Sequence, residues 1–280
     1  MSVFVSPHEL HDRLHSGEKQ SIIAVLWEPK EGKAWSAFQS EHIPTAMYCD
    51  PSSTLAGLPS RETGRNPMPQ LDVLSRAVRE WGLAEDHPVY IYDTGAGLYA
   101  ARAWWTLRWL GFGDVFIVDG GFRAWDAAGF ETVAGPGNIA VGAAAPLKPG
   151  SLPSADAAHV RDFNGLLIDA REPNRYNGLR ERFDLKAGHI PGAVNLPAYD
   201  LFAPGERTVR DVDDIRDRFA EAGWSHNIGP EDAVVYSGSG NHSSLLLAVA
   251  EHAGLPVVSH YVAGWSQWCG DRENPVARHV

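Results

Sequence analysis

The stretch Val234-Val235-Tyr236-Ser237-Gly238-Ser239-Gly240-Asn241-His242-Ser243 runs from β-branched and aromatic residues straight into a loop of small ones. The run 233–236 shows no polar alternation, as expected of a strand buried on both faces. Beyond the loop, residues 243–252 carry a helical pattern built on Leu245-Leu246-Leu247-Ala248-Val249-Ala250. A buried strand, a tight loop and a helix in succession form the unit of a parallel sheet covered by helices. In such sheets ligands bind beyond the carboxyl ends of the strands, where loops lead into helices. Small residues let successive N–H groups turn inward, and the helix dipole adds partial positive charge. Residues 237–242 therefore read as a cradle for an anion, the plainer alternative being a glycine-rich turn without a task.

Working outward, the same unit recurs. Apolar runs at 22–26, 89–92, 115–118, 166–168 and 257–258 alternate with helical patterns at 71–81, 99–110 and 212–222. The chain also repeats itself. His42-Ile43-Pro44-Thr45-Ala46 returns as His189-Ile190-Pro191-Gly192-Ala193, 147 positions later. Val89-Tyr90-Ile91-Tyr92-Asp93 pairs with Ala233-Val234-Val235-Tyr236-Ser237 at an offset of 144, and Gly121-Phe122-Arg123-Ala124-Trp125 with Gly264-Trp265-Ser266-Gln267-Trp268 at 143. Three matches in one order at nearly constant spacing predict two homologous domains, 1–130 and 152–280, each a mostly parallel α/β sheet flanked by helices. Ala134-Gly135-Pro136-Gly137 and the Pro- and Gly-rich 143–150 place a linker at 131–151.

The chain has 280 residues, 44% of them hydrophobic and 21% charged, enough apolar surface for two cores. A net charge of −11 repels phosphate backbones and anionic headgroups, so nucleic acid and membrane surfaces are not expected partners. No apolar run approaches the ~20 residues needed to span a bilayer, and the first residues do not read as a secretory signal. Two cysteines, Cys49 and Cys269, exclude a disulfide framework and suit a reducing cytoplasm. Both read as structural thiols: Cys49 lies in a connecting segment, and Cys269 is followed by Pro275 rather than a helix. No Cys/His cluster shows metal-ligand spacing, and neither a metal nor another cofactor is expected. Trp104, Trp105 and Trp109 suit a core or an interdomain face.

Other loop chemistries fail on residue identity. Ser243 stands where a dinucleotide fingerprint needs its third glycine, and no lysine closes a phosphate-binding P-loop. Neither 237 nor 241 is glycine, which removes a nucleophile elbow around Ser239. No arginine closes the loop as a cysteine phosphatase requires.

The combination of Val-Val-Tyr-x-Gly-Ser-Gly, His-Ile-Pro-Gly-Ala, Asp169-Ala170-Arg171 with Arg175 four positions on, and Gly264-Trp265-Ser266-Gln267-Trp268 resembles the two-domain rhodanese-like sulfurtransferases. That group includes thiosulfate and 3-mercaptopyruvate sulfurtransferases, and the resemblance covers nearly the whole chain. It implies transfer of sulfane sulfur from a small anionic donor, through a cysteine persulfide, to a thiol, cyanide or protein acceptor. It places the nucleophile at position 237 and the donor on the loop Gly238, Ser239, Gly240, Asn241 and His242. Arg175 and Arg182 would hold the donor carboxylate. Because the spacing to His189 looks short, Arg180 is an alternative to Arg182. His42 is a further candidate, since related enzymes place an N-terminal-domain histidine near the cleft, although a turn role explains it as well. Arg171 is expected to pair within the fold. Asp93 occupies the loop position of the N-terminal domain, which marks that half as inactive.

This chain departs from the family at the position that matters most, because residue 237 is serine. A hydroxyl is far less acidic than a thiol and forms no persulfide. Two explanations fit: a sulfurtransferase whose cysteine has been exchanged for Ser237, the reading preferred here, or a natural non-catalytic rhodanese-like protein that binds anions or partners. The Gly238-Ser239-Gly240 loop resembles the mercaptopyruvate type, yet Asn241-His242 departs from it, so the donor stays open between thiosulfate and mercaptopyruvate.

Overall fold

The structure is a computed structural model and describes residues 2–95, 97–139 and 145–278. The first sheet contains β1 (Phe4–Val5), β2 (Ser21–Val25), β3 (Met47–Cys49), β4 (Val89–Tyr92) and β5 (Val115–Val118), in the order β1-β5-β4-β2-β3. The second contains β6 (Leu166–Asp169), β7 (Val194–Asn195), β8 (Ala233–Tyr236) and β9 (Ser259–Tyr261), in the order β7-β6-β8-β9. Every pairing within both sheets is parallel. β2, β4 and β8 are buried at every residue, which is why their sequences lack alternation.

The internal repeats have a physical basis. Tyr92 Oη accepts the Ile43 amide at 3.3 Å, and Tyr236 Oη accepts the Ile190 amide at 3.1 Å. Each central strand thus pins the His-Ile-Pro turn of its own domain. The Phe122 amide donates to the Asp93 carbonyl at 2.8 Å, and the Trp265 amide to the Ser237 carbonyl at 2.7 Å. Gly121 and Gly264 precede these donors with φ of 57° and 58°, and a Cβ on either would collide with the carbonyl just named. The glycines are required because the two backbones meet there.

Two elements begin elsewhere than their hydropathy suggests. The expected strand at 257–258 lies at Ser259–Tyr261, where Ser259 and His260 are polar yet buried. Each finds a partner inside: Ser259 Oγ donates to the Pro230 carbonyl at 2.8 Å, and His260 Nε2 bonds Ser243 Oγ at 2.7 Å. The last long helix begins at Asn241, behind Gly240 at φ 92°, two residues before the expected start.

Helices Leu98–Trp109 and Asn241–His252, each following the central strand of its domain, pack on each other across the domain seam. Both are buried around most of their girth. Leu245, Leu246 and Leu247 share one core with Trp104 and Trp105. Trp104 Nε1 donates to the Val115 carbonyl at 3.1 Å, so this aromatic cluster is structural. Within the expected linker, residues 140–144 lie outside the described residues. Before them the Asn138 amide bonds the Ala46 carbonyl, and after them the Ala145 and Lys148 amides bond the Leu83 and Leu110 carbonyls. Among the described residues, no helix is long and apolar enough to cross a membrane.

Arg171 and Asp169 form a fully buried ion pair, with Nη2 to Oδ2 at 2.6 Å. Nη2 also donates to the Gly188 carbonyl at 2.7 Å, and the guanidinium lies 4.8 Å from the Trp265 ring centre. The pair joins the end of β6 to the segment carrying His189. Arg171→Met strands the carboxylate, and chemical denaturation should show a loss of about 3–5 kcal/mol. A loss below ~1 kcal/mol would show that the pair is dispensable.

Candidate active-site cavity between the domains

Ser237 follows β8 and is fully buried. Its Oγ accepts the Gly240 amide at 3.2 Å and bonds Ser243 Oγ at 3.1 Å; Ser243 Oγ in turn bonds His260 Nε2. The hydroxyl therefore heads a buried chain, Ser237–Ser243–His260. Burial, and secondarily the Arg102 charge, hold the His260 imidazole well below its ordinary value, so it is neutral at pH 7. Helix geometry leaves the first amides of Asn241–His252 without intrahelical acceptors, and these follow directly on the loop.

The equivalent loop of the N-terminal domain shows what such a cradle holds. Asp93 Oδ1 accepts the amides of Gly95 (2.8 Å) and Gly97 (3.0 Å), while Oδ2 accepts those of Tyr99 (3.1 Å) and Ala100 (3.4 Å). A carboxylate of the chain itself fills the anion site in this half. In the other half Ser237 brings no charge.

Beside the Ser237 loop lies a cavity of about 410 Å³ lined by both domains. The C-terminal domain supplies Gly238, Ser239, Asn241, His242, Arg175 and Phe183, and the N-terminal domain supplies Arg65, Asn66, Tyr99 and Arg102. Ser239 Oγ accepts Asn66 Nδ2 at 2.9 Å. Arg175 pairs with Glu181 at 3.0 Å and Asp184 at 2.8 Å, and Arg65 also pairs with Asp184. Burial pushes the Glu181 carboxyl up, but the amides of Phe183 and Arg182 and the Arg175 charge outweigh it and hold it below its ordinary value. For Asp184 burial prevails over Arg65 and Arg175, and its carboxyl is raised. The Phe183 ring, 70% exposed, lies 5.5 Å from the Arg65 guanidinium and 5.4 Å from that of Arg175. His242 meets Tyr199 edge-on at 5.5 Å, and burial followed by the nearby Arg175 charge lowers its pKa to about 4.

Arg182 and Arg180, carried over as carboxylate ligands, are exposed and do not line the cavity. The reason is local. Glu181 Oε1 accepts the amides of Arg182, Phe183 and Asp184, and this tight turn sends the Glu181 carboxylate inward to Arg175. The other cations at the cavity are Arg65 and Arg102, both from the other domain. His42 does not line it either: Nδ1 bonds the Phe38 carbonyl at 2.8 Å, and the ring stacks on Phe38 at 4.1 Å. His189 repeats this with Tyr176, at 2.8 Å and 3.8 Å. Both histidines brace turns. Cys49 and Cys269 are buried, and burial raises both thiols. Although no metal-ligand spacing was expected, the fold brings His11, His15 and Glu131 together on the far side of the N-terminal sheet.

The rhodanese-like domain family matches residues 6–128 and 154–271. The chain belongs to the rhodanese-like family. It is 36% identical over 266 residues to a probable 3-mercaptopyruvate sulfurtransferase of Pseudomonas aeruginosa, covering 90% of this chain and 89% of that one. It is 31% identical over 283 residues to the putative thiosulfate sulfurtransferase SseB of Mycobacterium tuberculosis, covering 99% and 97%. Among solved structures, the 3-mercaptopyruvate sulfurtransferase from Leishmania major superposes with a TM-score of 0.86 at 25% identity, covering 98% of this chain and 76% of that one. The tandem rhodanese-like architecture thus accounts for both sheets and for the loop at the head of each buried helix.

Because the folded chain holds the His242 pKa near 4 against an ordinary value near 6.5, the unfolded chain binds a proton that the folded chain refuses in that interval. Stability should fall as pH drops from about 6.5 to 4, with His260 acting in the same direction. His242→Gln should flatten the pH dependence of the urea midpoint. An unchanged slope would mean that His242 titrates like a solvent-exposed histidine.

Proposed function

We propose that the interdomain cavity is a sulfurtransferase donor site for thiosulfate or 3-mercaptopyruvate, that position 237 is the family's nucleophile position, and that the Ser237 form binds the donor without taking its sulfur. The observation carrying this reading is the match between the two loops. Where the N-terminal cradle is filled by Asp93, the C-terminal one carries an uncharged Ser237 next to a cavity with arginines. Relatives named as sulfurtransferases for both donors, aligned over nearly the full chain, support the same class. Arg175 is the donor-binding arginine of this reading, with Gly238, Ser239, Asn241 and His242 forming the adjoining wall. The acceptor would be a thiol, cyanide or a protein, and two buried thiols suit a reducing cytoplasm.

With cysteine at 237, the thiolate would attack the outer sulfur of thiosulfate. A new S–S bond forms, the bond to the sulfonate sulfur breaks, and sulfite leaves with the electron pair. An acceptor such as cyanide then takes the outer sulfur and returns the thiolate. Loop amides and the helix dipole favour both anionic forms of the sulfur. Serine offers no thiolate, and the neutral His260 behind Ser243 has no carboxylate partner among the described residues to support it as a base. A second reading, anion binding by a naturally non-catalytic protein, draws on the Ser237–Ser243–His260 chain, which suits a hydroxyl that both donates and accepts.

The Ser237→Cys variant should gain the mass of one sulfur on treatment with thiosulfate or mercaptopyruvate and release it to cyanide as thiocyanate. In that background Arg175→Ala should raise the mercaptopyruvate KM by about tenfold, as expected for a charge-assisted contact, while the exposed Arg182→Ala leaves it within about twofold. A folded Cys variant that takes up no sulfur from either donor sinks the sulfurtransferase reading.

A further inference from the structure

Arg102 sits in the middle of helix Leu98–Trp109, is 1% exposed, and has no carboxylate partner among the described residues. Its Nε and Nη2 donate to the Leu55 carbonyl at 3.3 and 3.0 Å, and Nη2 also reaches the Asn66 carbonyl at 3.4 Å. Nη1 is buried with no partner at all among the described residues. It points at the other domain: a Cβ on Gly240, the residue capping helix Asn241–His252, would collide with Nη1. Burial lowers the guanidinium to about 10, so it stays charged at pH 7. Its field also reaches His260, at the end of the chain behind Ser237.

This charge differs from the others at the cavity. Arg65 and Arg175 are paired with Asp184 and Glu181, whereas Arg102 is uncompensated. An unpaired buried charge is costly to hold, and a fold that retains one next to open amide donors stabilises negative charge there. We propose that Arg102 is a positioning residue through which the N-terminal domain sets the affinity of the Ser237–His242 loop for small anions: thiosulfate, a carboxylate-bearing thiol or, with cysteine at 237, the sulfur anion itself. The inference deepens the donor-site reading above, and its test does not depend on sulfur transfer.

Two measurements test it. In the unaltered Ser237 chain, calorimetric titration with thiosulfate should show binding that weakens by about tenfold in Arg102→Gln, which keeps a donor for the Leu55 carbonyl, and by about threefold or less in Arg102→Lys. In the Ser237→Cys background, the pH profile of alkylation by iodoacetamide should shift upward by about one unit in Arg102→Gln. Should Arg102→Gln fail to fold, Met68→Glu supplies the compensating carboxylate, because Met68 Sδ lies 3.7 Å from Arg102 Nη2. The same loss of thiosulfate affinity and the same upward shift of the alkylation profile are expected from it. A folded variant with unaltered thiosulfate affinity and an unaltered alkylation midpoint overturns the proposal. Failure of the Cys form to transfer sulfur leaves both readouts intact and strikes only the sulfurtransferase reading.

A separate observation carries a second inference. His11 and His15 stand one turn apart on helix Pro7–Ser16, with Glu131 across from both. Glu131 Oε2 is 3.3 Å from His11 Nε2, and Oε1 is 3.5 Å from His15 Nε2. One ligand atom from each of the three lies within 4.8 Å of the others, close enough to converge on one metal ion. His15 Nδ1 bonds the His11 carbonyl at 2.9 Å, which leaves Nε2 as its ligand atom, and the His11 ring is held by stacking on Phe130 at 4.1 Å. We infer that this trio is a zinc-class site that clips the first helix to the segment leaving the N-terminal domain. Metal-free protein should take up one Zn²⁺ with a micromolar dissociation constant at pH 7.5, raising its Tm. His15→Gln should weaken binding at least about tenfold. Binding only in the millimolar range, or equal binding by His15→Gln, rejects the site.

Discussion

Helix Leu98–Trp109 packs against helix Asn241–His252 across the seam, and the cavity shared by the two domains depends on that contact. Each helix leaves a loop at the carboxyl end of its central strand, so pressing the helices together brings both loops to one region. Each must then be apolar on more than one face, because one side meets its own sheet and the other meets the partner helix. The runs Ala103-Trp104-Trp105 and Leu245-Leu246-Leu247 meet that demand.

The duplicated fold has been used asymmetrically. The support is the same in both halves: a tyrosine hydroxyl pinning the His-Ile-Pro turn, and a glycine that lets an amide reach the loop carbonyl. What fills the cradle differs. Asp93 satisfies one set of amides from within, whereas Ser237 accepts a single loop amide. The N-terminal half nevertheless sends Arg65, Asn66 and Arg102 to the other loop, so the cavity belongs to the pair of domains rather than to either one. The cations at its wall are restrained by Glu181 and Asp184, and Arg102 alone among these three arginines is left without a counter-ion.

The buried chain from Ser237 through Ser243 to His260 places three polar side chains side by side in the interior of the C-terminal domain. Each link satisfies a group that would otherwise be stranded, and burial keeps the imidazole neutral. The network orients the Ser237 hydroxyl toward the helix rather than leaving it free to rotate, which makes residue 237 part of the loop's architecture, buried directly behind the cavity wall.

The sequence by itself determined the parallel α/β units, the duplication and the Ser237–His242 loop, because burial on both strand faces and tight backbone turns restrict residue type locally. His42 and Arg171 belong to turns and pairs whose partners are near in sequence or repeated with the motif, so their placement follows from short-range rules. Only the tertiary structure decided which charges face the cavity. Arg175 and Arg182 are equally charged on paper, but the Glu181 turn sends one inward and leaves the other in solvent. Arg65 and Arg102 lie more than a hundred positions from the loop they approach, and His260 hid its strand because hydropathy scores a polar residue as exposed. Local patterns record which groups must be buried; long-range packing determines what those groups meet, and here electrostatics is fixed by the second.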